Sequence, residues 1–154
     1  MSLVFVPVTT EQLRRWAESG AMIPDLMFGT GSGFRDTFGL SPADDEDAEY
    51  TCLNVAGLAC LVAGHQRLVA VVELDRIPHG DELGRGPGER LAWAAVQSLF
   101  TEGSPDLAAR ARDRFTGLDV SAAWDDPETD RLLREGDLLW HGPDEWGSLV
   151  GLHA

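Results

Sequence analysis

The stretch that decides the fold is SPADDEDAEYTCLNVAGLACLVAG at residues 41–64, together with LVAVVEL at residues 68–74. Ser41, Pro42 and Asp44 predict an N-cap, a first helical residue and an N3 residue, and Gly64 predicts the end of the helix. The helix dipole favours the acidic residues of its first turns, whereas residues 52–62 are apolar nearly all round. The β-branched run that follows predicts a central strand.

Glycines mark two further features. Gly57 interrupts the predicted helix at a cost of about 1 kcal/mol relative to alanine, so we expect a close backbone contact there, against the sheet. Residues 24–39, PDLMFGTGSGFRDTFG, are rich in glycine and have no clear hydrophobic period. They predict a long loop, which is uncommon in a compact domain unless it has a function.

The rest of the chain carries weaker signals. Residues 3–8 predict a strand covered on both faces, and Thr9 with Gln12 predicts a capping box for a helix that ends at Gly20. Residues 90–101 favour a strand with one shared face, formed by Ala94, Val96, Ser98 and Phe100, although a helix also fits. Further elements are predicted as helices at 104–117 and 126–135, an edge strand at 137–142 and a turn from residue 143.

The order of strand, helices, strand, strand, helix and strand predicts a single α+β domain over residues 1–154. It matches the ferredoxin-like split βαβ order with extra helices. An irregular α/β sandwich is the alternative.

Charge and composition exclude several functions. The chain has 26 acidic residues against 12 basic ones, all arginine, so its formal net charge is −14. Without lysine there is no ε-amine for a Schiff base and no phosphate-binding P-loop lysine. The negative charge disfavours nucleic acid as a ligand. The apolar run at residues 3–8 is too short for a signal peptide or a membrane span, so we expect a cytoplasmic protein.

Residue types that support catalysis or metal binding are present without a supporting pattern. His65, His79, His141 and His153 lack the spacing of a metal site, although His79 lies next to Asp81 and Glu82. Cys52 and Cys60 lie about 12 Å apart along one predicted helix, too far for a disulfide, so we expect buried free thiols. We predict no catalytic residue, metal or cofactor.

The glycine-rich segment is the candidate ligand site. Backbone N–H groups of glycine-rich loops bind phosphate, but this segment neither follows a predicted strand nor contains lysine. A lid over a pocket also suits the alternation of glycine with phenylalanine. The candidate ligand-binding residues are Gly29, Gly31, Gly33, Phe34 and Arg35, with Arg35 holding an anionic group.

Acidic residues and two tryptophans form the candidate partner-binding set. Residues 40–64 contain five acids and no base, and residues 104–154 contain eleven acids against five arginines. Trp124 and Trp146 are the tryptophans that we expect to be partly exposed, and exposed aromatic residues anchor protein interfaces. The predicted partner has a basic surface and would contact Asp44, Asp45, Glu46, Asp47, Glu49, Trp124 and Trp146.

Several short motifs together resemble a known family. They are the early strand VFVPVT, the acidic cluster that leads into Glu49 and Tyr50, the Trp93–Ala94–Val96 segment, and LLWHGPDEW near residue 146. This pattern resembles a family of small actinobacterial proteins classed as a domain of unknown function. The resemblance implies an intracellular single-domain α/β protein and carries no activity.

Three functional hypotheses follow from the sequence. The first is a non-enzymatic interaction or regulatory module that attracts a basic protein surface. The second is a small-molecule-binding protein or enzyme with a pocket under the segment at residues 25–39. The third attributes the acid excess to solvent alone, as in proteins adapted to high salt. Composition does not separate these hypotheses, and the sequence does not give the oligomeric state.

Overall fold

In the computed structural model, which describes residues 2–151, helices cover both faces of an antiparallel sheet. The elements, in chain order, are β1 (Ser2–Pro7), α1 (Thr10–Ser19), β2 (Ala21–Met22), β3 (Leu26–Gly29), α2 (Ser32–Phe38), α3 (Asp45–Val62), β4 (Leu68–Leu74), β5 (Arg85–Pro87), β6 (Leu91–Ala92), β7 (Val96–Glu102), α4 (Pro105–Phe115), α5 (Val120–Trp124), α6 (Pro127–Glu135), β8 (Leu138–His141) and α7 (Trp146–Leu149). Short 3-10 turns at Trp93–Ala95 and Pro143–Glu145 precede β7 and α7.

The main sheet has six strands in the order β5-β3-β1-β4-β7-β8, and β2 pairs with β6 in a separate two-stranded sheet. Each neighbouring pair is antiparallel. The α+β class is therefore confirmed. The ferredoxin-like order is not confirmed, because β1 and β3, the first two strands of the main sheet along the chain, are antiparallel neighbours, whereas the first βαβ unit of that order would make them parallel with another strand between them.

Alternating residues of β1 separate two apolar clusters. Phe5 packs with α3 and the helices beside it, whereas Val4 and Val6 pack with Leu13 and Trp16 of α1. The partly buried Trp146 and Leu149 of α7 join the second cluster. The molecule thus has three layers, with α2 to α6 on one face of the sheet and α1 and α7 on the other.

Local signals located several elements correctly. The Thr9 hydroxyl accepts a hydrogen bond from the Gln12 N–H at 3.1 Å, and the Gln12 side chain accepts one from the Thr9 N–H at 2.9 Å. Gly20 ends α1 with φ of +89°, a left-handed conformation that favours glycine. The strand predicted at residues 68–74 is β4, in the middle of the sheet. These predictions are confirmed.

The loop predicted at residues 24–39 is wrong, because this segment forms β3 and α2. In β3, Phe28 is paired with Phe5 of β1 on one side and with Arg85 of β5 on the other. Phe34 of α2 is fully buried. Pairing with distant strands and burial of two phenylalanines thus override the loop-forming tendency of the glycines.

The helix predicted from Pro42 begins later, at Asp45, with Asp44 as its N-cap residue. Ser41 and Asp44 instead close a turn, in which the Asp44 carboxylate accepts a hydrogen bond from the Ser41 N–H at 2.8 Å. The far end is as predicted, since α3 ends at Val62 and Gly64 has φ of +84°. Cys52 and Cys60 lie inside α3 as buried free thiols, which confirms that prediction.

A bulge in β7 changes the face predicted for residues 90–101. Val71 of β4 pairs with Ser98, but the next residue, Val72, pairs with Val96, so Gln97 is an extra residue. The strand is confirmed over most of the segment. The single shared face is wrong, because Val96 packs with the α1 cluster and Phe100 packs on the α3 side.

Gly57 makes room for a buried arginine. A Cβ at this position would lie 3.2 Å from Cδ of Arg67, which precedes β4. The Arg67 guanidinium forms a two-pronged ion pair with Glu102 at 2.5 and 2.7 Å, and the two side chains are only 2% and 4% exposed. It also donates to the Gly136 carbonyl at 2.8 Å. The contact expected at Gly57 is thus made by a side chain rather than by the sheet.

Candidate functional site

A concave site lies between α3 and the β8 edge of the sheet, and we call it the β8 cleft. Its volume is about 560 Å³. The sheet forms its floor with Leu3, Phe5, Val71, Ser98 and Phe100. One wall comes from α3, through Glu49, Tyr50, Leu53 and Asn54, and the other wall is the segment from Leu133 to Trp140. This size and apolar lining are typical of sites that bind small molecules or side chains.

The polar groups inside the β8 cleft are few. Asn54 and Ser98 are buried residues in the lining, and the Asn54 side chain donates to the Tyr50 carbonyl at 2.9 Å. Ser98 reaches the cleft because it lies opposite Val71 and alternates with Phe100 on the α3 side of the sheet. A bound apolar group would therefore meet mostly carbon and two neutral hydrogen-bonding side chains.

Large apolar residues are exposed at the edge of this cleft. Tyr50 on α3 is 58% exposed, and Trp140 on β8 is 63% exposed. The neighbouring Leu139 is 50% exposed, on the opposite face of β8. Since exposed aromatic residues that border a pocket are typical of binding surfaces, the exposure marks the mouth of the cleft as its contact region.

The acidic start of α3 adjoins the β8 cleft. Glu49, in the lining, has a raised pKa, first because burial disfavours its charged form and second because Asp45 repels it. Glu46 and Asp47 are exposed one turn earlier. Asp137 contributes a further carboxylate to the lining. An apolar cleft and a negative rim thus occur together.

Two of the predicted partner-binding acids are engaged within the protein. The Asp44 carboxylate closes a turn with Ser41, and hydrogen bonds from Ser41, the backbone one first, lower its pKa. Asp45 forms an ion pair with Arg35 at 2.7 Å. Among residues 2–151, neither Glu46 nor Asp47 forms an ion pair, which leaves their charges available to a partner.

The two tryptophans predicted as partner anchors lie on opposite faces of the sheet. Trp124 packs edge-to-face on Phe38 with ring centroids 5.2 Å apart, beside the α3 cluster. Trp146 packs on the α1 cluster. Both are partly buried, and neither lines the β8 cleft. One compact partner surface does not reach both of them.

The predicted ligand-binding residues lie at the other end of the sheet. Gly29 ends β3, opposite Val4 of β1. The Arg35 guanidinium is held by three hydrogen bonds, to the carbonyls of Thr30 and Ser41 and to the Asp45 carboxylate. A cleft of about 300 Å³ lies beside this segment, between residues 31–34 and residues 77–84. Gly31, Gly33 and Phe34 line it, together with His79 and Asp81.

The histidines form no metal centre in the part of the chain that the structure describes, where no group of three His, Cys, Asp or Glu residues is placed to hold an ion. His141 instead links two elements. One ring nitrogen lies 2.9 Å from the Thr101 hydroxyl, and the other lies 3.4 Å from a Glu145 carboxylate oxygen. Glu145 also accepts from the Gly142 N–H at 2.7 Å, and this bond lowers its pKa, with His141 adding to the effect.

The sequence pointed to one wall of the β8 cleft and missed the other. The acidic cluster predicts Glu49 as a binding residue, and Glu49 lies in the α3 wall. The sequence predicts the edge strand at residues 137–142 but assigns it no role in binding. Trp140, the most exposed of the tryptophans that the structure describes, was not singled out. Its exposure depends on where β8 lies in the sheet, although a tryptophan in a predicted edge strand is a usable signal.

Comparison with known proteins gives a family and no activity. The chain belongs to the Family of unknown function (DUF6912), whose model matches residues 2–150. This confirms the expected membership in a family of unknown function and carries no information on an actinobacterial origin. No match was found among curated proteins or among solved structures. Within residues 2–151, no helix combines the length and hydropathy that crossing a bilayer requires.

Proposed function

We propose that this protein is a non-enzymatic interaction module, acting in the cytoplasm, that binds a partner protein through the β8 cleft. One observation carries the proposal: an apolar cleft of about 560 Å³ opens between the exposed aromatic residues Tyr50 and Trp140, beside the acidic start of α3. Aromatic residues around a central pocket are the usual anchors of protein interfaces. The complementary partner presents a large apolar side chain within a basic surface.

The local charge supports a basic partner. Glu46 and Asp47 are exposed, and Glu49 reaches the cleft itself. A basic group that approached Glu49 would relieve the repulsion from Asp45, which contributes to the raised pKa of Glu49. Opposite charges at the rim also speed diffusional encounter and make association sensitive to salt.

The proposal is tested by selection of random dodecapeptides displayed on phage against the immobilised protein. The expected motif is a large apolar residue flanked by Lys or Arg. For a selected peptide, Trp140→Ala should weaken binding by at least about thirtyfold, the effect of a typical interface anchor. Ile77→Ala is the matched control, because Ile77 is 50% exposed but lies outside the β8 cleft. Selected peptides that bind Trp140→Ala as tightly as the wild type would contradict the proposal.

The acidic rim is tested separately with Glu46→Gln/Asp47→Asn. This pair of changes leaves the Ser41–Asp44 turn and the Arg35–Asp45 ion pair intact. The selected peptide should bind more weakly, and its affinity should depend less on NaCl concentration. Glu11→Gln/Glu18→Gln on α1, across the sheet, removes the same charge as a control and should leave affinity and salt dependence nearly unchanged.

A second candidate function is the binding of a small molecule beside the segment at residues 25–39. The observation that favours it is the cleft of about 300 Å³ lined by Gly31, Gly33, Phe34, His79 and Asp81. A thermal-shift screen with a metabolite library tests it. A true ligand should raise the melting temperature of the wild type but not of His79→Ala, and a library that stabilises neither protein would contradict this candidate.

A further inference from the structure

The two edges of the main sheet are built differently. At one edge, β5 is Arg85-Gly86-Pro87, and a charged residue, glycine and proline are devices that prevent further strand pairing. At the other edge, β8 is Leu138-Leu139-Trp140-His141, which has none of these. Within residues 2–151, no strand pairs with the outer side of β8. This edge is therefore open to a further strand.

The open edge of β8 borders the β8 cleft. On its inner side, Trp140 pairs with Phe100 and Leu138 pairs with Glu102 of β7. Leu138 and Phe100 pack against the α3 cluster, so alternate residues of β8 point to the cleft side of the sheet. A strand added beside β8 would lie about 4.8 Å away and would present every second side chain to the same side. Its side chains would enter the mouth between Tyr50 and Trp140.

Charge decides between possible occupants of this edge. A second copy of the chain would bring an identical set of acids to the interface, namely Asp137 before β8 and Asp144 and Glu145 after it. Like charges that face each other across paired strands are destabilising. A basic segment would instead meet these acids with complementary charge.

We propose that β8 accepts an extended basic segment of a partner protein as a seventh strand of the sheet. This inference rests on the proposed function and adds the binding mode. Outward backbone groups of β8 supply the ladder hydrogen bonds, and the β8 cleft takes the apolar side chains of the segment. The recognised pattern alternates Phe or Leu, facing the cleft, with Lys or Arg, facing the acids along the edge.

The probe is an acetylated, amidated heptapeptide in which Arg or Lys alternates with Phe or Leu. Its affinity is measured by titration calorimetry against the full chain, together with two N-methylated versions. One version carries methyl groups on the amides of every odd residue, and the other carries them on every even residue. In a β-strand, one of these sets points to the neighbouring strand and the other points away.

Pairing with β8 predicts that one methylated peptide loses at least about tenfold in affinity while the other binds like the parent. Hydrogen exchange should show new protection of amides within residues 138–141 on addition of the parent peptide. Equal affinity of the two methylated peptides would overturn strand pairing while leaving binding in the cleft intact. Failure of the proposed function has a separate signature, which is an affinity for the parent peptide that is unchanged by Trp140→Ala.

Two further outcomes would also overturn the inference. If the parent peptide does not bind, the edge does not recognise a basic, alternating segment. If the free protein forms a dimer in sedimentation experiments and peptide addition does not dissociate it, a second copy covers the edge instead.

Discussion

Removal of Arg67 should destabilise the protein more than any surface charge change. Arg67→Met would leave the Glu102 carboxylate buried without its partner, because the two side chains are only 2% and 4% exposed. Breaking a buried ion pair from one side costs about 3–5 kcal/mol. The Gly136 carbonyl would also lose its 2.8 Å hydrogen bond, which adds about 1 kcal/mol or more. We expect the free energy of unfolding at pH 7 to fall by about 4–6 kcal/mol.

Urea unfolding followed by tryptophan fluorescence measures this loss. With a slope of about 2 kcal/mol per molar urea, the midpoint should fall by about 2–3 M, if the slope itself is unchanged. Arg14→Met is the control, because its ion pair with Glu18 is exposed and should contribute under about 1 kcal/mol. If Arg67→Met is too unstable to purify, urea unfolding of the double variant Arg67→Met/Glu102→Leu still gives a measurable value.

The double variant Arg67→Met/Glu102→Leu tests the reason for the loss. Replacing both charges by apolar groups leaves no unpaired buried ion, and such replacements are often nearly neutral. The double variant should therefore be more stable than Arg67→Met alone. Two results would refute the reasoning. One is a double variant whose loss of unfolding free energy equals the sum of the losses in Arg67→Met and Glu102→Leu. The other is a loss below about 1 kcal/mol in Arg67→Met.

Three other predictions concern residues of α3. Gly57→Ala should be neutral or destabilising in the wild type, where a Cβ lies 3.2 Å from Arg67, but should stabilise an Arg67→Ala variant by about 1 kcal/mol in urea unfolding. Cys52 and Cys60 should resist Ellman's reagent at pH 8 until the protein unfolds, because burial raises the pKa of both thiols, that of Cys60 to about 11. Rapid reaction of either thiol in the folded protein would contradict this. Burial raises the pKa of Glu49 above its ordinary 4.5, so the free energy of unfolding should fall as the pH rises from 4.5 through the raised pKa. Glu49→Gln should abolish this fall and should be more stable than the wild type at pH 7.

Elements with local signals could be predicted, and those that depend on distant partners could not. The capping box of α1, the end of α3 at Gly64 and the run of β4 are encoded by neighbouring residues. The pairing of β3 with β1 and β5 joins residues far apart in the chain. The strand itself has only four residues, and the glycines in and after it predict a loop. The late start of α3 was missed for another reason, since Ser41 and Asp44 satisfy each other in a turn instead of capping a helix at Pro42.

The candidate site shows the same division. Glu49 and Tyr50 lie in a helix that the sequence predicts, so one wall of the β8 cleft was accessible to sequence analysis. Ser98 and Phe100 share a face, as the sequence predicts, and both line the cleft. Val96 leaves that face because Gln97 is an extra residue in β7, and a bulge of this kind has no reliable sequence signal. Trp140 is exposed only because β8 is the last strand of the sheet, and strand order follows from the whole topology.

The structure also changes what the net charge of −14 means. At physiological ionic strength the Debye length is about 8 Å, so a partner in the β8 cleft senses only the nearest acids. Of the five acids at the start of α3, Asp44 is bonded to Ser41 and Asp45 to Arg35, which leaves Glu46, Asp47 and Glu49. Adaptation to high salt would draw on all 26 acids and would make the stability of the free protein depend on salt. Recognition draws on these three and on Asp137, Asp144 and Glu145 beside β8, and its salt dependence belongs to binding. The two causes of the acid excess are thus separable by whether salt changes the stability of the free protein or its affinity for a partner.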